Sequence, residues 1–118
     1  MSITESKVID IIAVPEGEPD NFVLVITDHL EWGDKAQQGE HLLLLQEKIN
    51  TYIAFIEGGE LLETYPPAKG KNPKIRINGL YELPEQGESF IDRVTEVVKG
   101  VGVGFEFVLK ASETIRNI

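Results

Sequence analysis

The chain has 118 residues, 20 acidic and 11 basic side chains and a formal net charge of −9; 42% of it is hydrophobic and 26% charged. These are the values of a globular domain, long enough to bury roughly two thirds of its unfolded surface around one core. They exclude collagen-like and disordered classes, and the excess of acid excludes nucleic-acid binding through bulk charge.

There is no cysteine, so disulfides, thiolate zinc sites and cysteine nucleophiles are excluded. Met1 to Lys7 shows no basic stretch leading into an apolar one, so no signal peptide is expected. No apolar run approaches the roughly eighteen residues of a spanning helix. A cytoplasmic protein without a membrane partner is the expectation.

Residues 8–14 are β-branched and predict a strand, and Pro15, Gly17, Pro19, Asp20 and Asn21 predict a turn. Phe22 to Thr27 predicts a second strand, antiparallel to the first. Residues 28–40 read as a polar loop carrying the sole tryptophan, Trp32. From Glu40 to Glu57, Leu42, Leu45, Ile49, Tyr52, Ile53 and Ile56 share one helical face, with Gly58-Gly59 as the stop. Leu44 and Phe55 form a second apolar stripe, which predicts a helix wedged inside the fold or facing another chain.

Glu60 to Tyr65 reads as either an edge strand or a helical turn, followed by a loop at Pro66-Pro67 and Pro73. Lys74-Ile-Arg-Ile-Asn78 alternates as a half-exposed strand. A second helix is predicted from about Glu85 to Lys99, with Pro84 before it and Gly100 after it, and a last strand from Phe105 to Leu109. The expected fold class is α+β, one domain over residues 1–118. It is a two-layer sandwich in which a four-stranded mixed sheet of order β-β-α-β-α-β carries both helices on one face.

Charge is unevenly spread. Residues 1–40 hold nine acids and two bases, whereas Lys69, Lys71, Lys74 and Arg76 form a basic cluster with no acid between them. Such polarity suits either two solvated surfaces or a surface that steers a charged partner or a second copy.

The chemical candidates cluster after the second strand. Asp28, His29 and His41, with Glu47, are the residue types that hold a divalent metal or run acid–base chemistry near neutral pH. Against this, no dense ligand spacing is present, and the stronger reading of Asp28 and His41 is as polar residues that order a loop. No catalytic residue and no organic cofactor is assigned; a divalent metal is the one cofactor the residue types allow. Gly100-Val-Gly-Val-Gly104 follows a helix instead of opening one, so it is not a phosphate loop. Trp32, Leu44 and Phe55 are the candidate interface residues.

The stretch Ile26-Thr-Asp-His-Leu-Glu-Trp32, with Glu40-His-Leu-Leu-Leu-Leu-Gln-Glu-Lys48 after it, resembles a family of small bacterial proteins catalogued only as a domain of unknown function. The resemblance implies a bacterial cytosolic protein and brings no catalytic residues with it. The reading that follows is a non-enzymatic protein-interaction module acting as a homodimer. The alternative is a small metal-binding or acid–base enzyme using Asp28, His29 and His41.

Overall fold

The computed structural model describes residues 11–14, 17 and 19–110. Residues 8–10 of the first expected strand, and much of the turn after it, lie outside these. The described elements, in chain order, are β1 (Ile11–Ala13), β2 (Asn21–Asp28), α1 (Lys35–Glu57), α2 (Glu60–Thr64), a 3-10 turn (Pro66–Ala68), β3 (Asn72–Gly79), α3 (Glu85–Lys99) and β4 (Gly104–Leu109).

The expected four-stranded mixed sheet with two helices needs correction. The body of the sheet is three-stranded and all-parallel, β2–β3–β4, and three helices accompany it. Among the described residues, Ile11–Ala13 of β1 lies beside β2 and runs antiparallel to it as the outer member of the order β1-β2-β3-β4. The class remains α+β. The physical reason lies in β2. Its continuous apolar run, Phe22 to Ile26, is that of an interior strand covered on both faces, with β3 parallel to it, and all five side chains are buried.

The register sets two faces. Leu24, Ile75 and Phe105 lie side by side, as do Ile26, Ile77 and Phe107. They meet Leu45, Ile49 and Tyr52 of α1 and Phe90 and Val98 of α3 in one core cluster. On the other face, Arg76 and Lys74 both reach Glu106, Lys74 at 3.4 Å. Lys71 donates to the carbonyl of Pro19 at 2.8 Å. Three of the four cations in the basic cluster are therefore engaged within the chain.

Helix α1 begins at Lys35, five residues earlier than its apolar periodicity indicates. Asp34 is the reason. Its carboxylate accepts from the Gln37 amide and the Gln37 side chain accepts from the Asp34 amide, both at 2.9 Å, which closes a capping box. Gly33, at φ +61°, makes room for it, since a Cβ there would meet Gln37 Oε1 at 2.1 Å. Residues 60–64 form a helical turn, not an edge strand, and it buries Leu61. No helix among the described residues is long and apolar enough to cross a membrane.

Removing the cap tests this start. Asp34→Ala is expected to lower the unfolding free energy by about 1 kcal/mol in urea titration. A change within ~0.3 kcal/mol would show that α1 does not depend on its cap.

Candidate functional site

Asp28 is the last residue of β2 and points to the same face as Leu24 and Ile26, where α1 packs. His41 lies two turns into α1. The two meet: His41 Nε2 is 2.6 Å from Asp28 Oδ2, and each side chain is 2% exposed. A carboxylate only accepts, so Nε2 carries the proton and donates it. The second carboxylate oxygen, Oδ1, accepts from the Leu30 amide at 3.2 Å, and the Asp28 carbonyl accepts from the Leu80 amide at 3.1 Å. Asp28 is thereby fixed through backbone and side chain together.

Trp32 closes the arrangement. Its ring stacks on the His41 imidazole with centroids 3.6 Å apart and planes 17° from parallel, and it is 7% exposed. The candidate interface tryptophan thus sits over the Asp28–His41 pair and joins the core cluster. Leu44 and Phe55 are half-buried and also pack against that cluster. The large apolar side chains that α1 and α3 expose most are Leu43 and Val97.

The remaining members of the predicted set stand apart from this pair. His29 and Glu47 are exposed. Among the described residues, no group of three or more His, Cys, Asp or Glu side chains could hold a metal ion. His41 Nδ1 is buried and without a hydrogen-bond partner. It is the one atom of the pair whose lone pair is not already engaged, and no solvent reaches it. The arrangement can therefore orient and lock; it offers no reactive atom to a solute at the surface.

One buried polar residue has no counterpart in the sequence reading. Lys48 is fully buried, with Nζ 5.7 Å from the ring centroid of Tyr52, whose hydroxyl donates to the Val25 carbonyl at 2.7 Å. His41, Leu45, Lys48 and Tyr52 follow one another at spacings of 4, 3 and 4 along the inner line of α1. That spacing is the signal that could have found Lys48, since it places the lysine between two residues already assigned inward.

The chain belongs to the family of unknown function DUF6572, whose model matches residues 1–111. No curated protein and no solved structure matches it.

The locking role has a measurable signature. His41→Phe keeps a ring beneath Trp32 but leaves the Asp28 carboxylate buried and unpaired. It is expected to cost about 3 kcal/mol of unfolding free energy. Asp28→Asn, whose amide oxygen still accepts from Nε2, is expected to cost less. Urea denaturation of the two variants checks the order, and equal or negligible losses would contradict it.

Proposed function

We propose that this chain, as a member of a family with no assigned activity, is a non-enzymatic protein-interaction module. It works as a homodimer in the bacterial cytoplasm, and its partners are proteins, not nucleic acids or membranes. The observation that carries the reading is a contrast. The Asp28–His41 pair is sealed beneath Trp32, while apolar surface lies open between α1 and α3.

That surface is a groove of about 350 Å³ whose apolar lining is Ile49, Ile53, Phe90, Val94, Val97 and Val98. Val97 is 72% exposed at its rim. An open apolar groove bordered by polar side chains such as Gln46 and Arg93 is the kind of surface that takes a partner's apolar side chains. The acidic balance of the chain, −9 overall, favours a partner with a basic face.

A second reading has one observation in its favour. The unpartnered Nδ1 of His41 is a donor atom of the kind a divalent metal or an acid–base centre would use, with Asp28 behind it as the orienting carboxylate. This reading requires His29 to swing in from the surface. Zinc or manganese would then raise the melting temperature of the wild-type chain and not of His41→Phe; under the first reading neither ion moves it.

Because the chain lacks cysteine, a single engineered thiol can carry a photo-crosslinker. Val97→Cys labelled in this way is expected to give a discrete adduct in host cells that Glu63→Cys does not. The same smear from both positions, or none from either, would remove the groove from consideration as a contact surface.

A further inference from the structure

Strand β4 is an edge. It pairs with β3 and with no other strand among the described residues. The direction of its backbone groups follows from one hydrogen bond: the Lys110 amide donates to the Gly79 carbonyl at 2.8 Å. Successive residues of a strand aim their amide and carbonyl groups to opposite sides. Residues 106 and 108, in step with 110, therefore face β3. Phe105, Phe107 and Leu109 turn their amides and carbonyls outward, away from the sheet. The Leu80 amide, which donates to Asp28 on the other side of β3, agrees with this phase.

An outward row of backbone groups that no strand among the described residues pairs, along the sequence Gly-Phe-Glu-Phe-Val-Leu, is a template for another strand. It contains no proline and one charge. Leu109 is 36% exposed, and a cavity of about 330 Å³ lies against Phe107 and Leu109.

We propose that β4 pairs with β4 of a second copy, antiparallel about a two-fold axis through Phe107, joining the two sheets into one. The inference rests on the homodimer reading above and gives it a surface. Self-complementarity argues for a second copy over any other strand. With Phe107 opposite Phe107 of the second copy, Phe105 falls opposite Leu109 and Leu109 opposite Phe105. All three outward-facing residues then meet outward-facing residues, and each pair exchanges both backbone hydrogen bonds. The same register keeps apolar side chains together on the helix-bearing face. On the other face it sets Glu106 opposite Val108, and diagonal to both Lys110 and Glu106 of the second copy, while Lys74 and Arg76 of its own chain already hold that carboxylate. A register shifted by one residue would set outward groups against inward ones. The cavity beside Phe107 and Leu109 comes to lie next to Phe105 of the second copy.

The position opposite Glu106 gives a test by sign. In sedimentation equilibrium of the full chain, the wild type is expected to be a dimer. Val108→Glu sets like charges against each other at two symmetry-related places and is expected to raise the dimer Kd about ten-fold, whereas Val108→Lys leaves it unchanged or lowers it. Melting temperatures of the two variants, taken under conditions where both are monomeric, control for folding. Amide exchange supplies an independent pattern. In the dimer the amides of Phe105, Phe107 and Leu109 are protected, and on dilution they alone lose protection while 106, 108 and 110 keep it.

A wild-type chain that stays monomeric at millimolar concentration would overturn both the homodimer reading and this surface. A dimer indifferent to both charges at 108, with fast exchange at 105, 107 and 109, would leave the homodimer standing and overturn β4 as its interface. Protection that appears only when a different protein is added would assign the edge to that partner and overturn self-pairing.

Discussion

The contact between Asp28 and His41 fixes how α1 lies on the sheet. Hydrophobic burial is non-directional and would accept α1 rotated by a fraction of a turn. A charge-assisted hydrogen bond of 2.6 Å to the end of β2 does not accept it. Three turns further on, the Tyr52 hydroxyl reaches the Val25 carbonyl of the same strand. Two directional contacts to one strand, at both ends of the inner line of α1, hold the rotation of a 23-residue helix. The partition of its side chains follows: Leu45 and Ile49 inward, Leu43 outward, Leu44 and Phe55 on the flanks.

This constraint also decides which chemistry reaches the surface. The side chains with the richest chemistry, Asp28, His41 and Lys48, are the ones turned inward. Helix α3 presents the contrasting case. It covers β4 with one side and borders the groove with another, and near its start Gln86 donates to Gln38 of α1 at 2.8 Å. The two helices are thus tied at their beginnings, and the apolar groove runs beyond that tie, toward Val97 and Val98.

The sequence was most legible where one period ran uninterrupted. Ile75 and Ile77 alternate with Lys74 and Arg76, and β3 contains that alternation. Pro84, the acids after it and Gly100 bracket α3 at Glu85 and Lys99, as expected. The start of α1 was hidden because Lys35 to Glu40 contains no large apolar residue, and only the Asp34–Gln37 reciprocity signals it. The antiparallel pairing of the first two strands is as expected, whereas the parallel β2–β3–β4 body was not singled out, because an apolar run such as Phe22 to Ile26 signals burial on both faces and not the direction of the neighbouring strands. At the site, Asp28 and His41 were legible as residue types. That they meet, and that His29 and Glu47 do not join them, depends on the path of residues 29–34, which local pattern does not specify. Lys48 was missed because a helical lysine ordinarily faces water.

The polarity of β1 bears on how far such a sheet can grow. A molecule with two equivalent sheet edges joined head to tail has no natural end and builds filaments. Here the edges differ in direction: β1 runs against the rest of the sheet, and β4 runs with it. Pairing of β4 with itself would consume that edge of both molecules at once and leave the two antiparallel strands, β1 of each copy, outermost. An isologous pairing of that kind closes on itself, so growth through the β4 edge would stop at two.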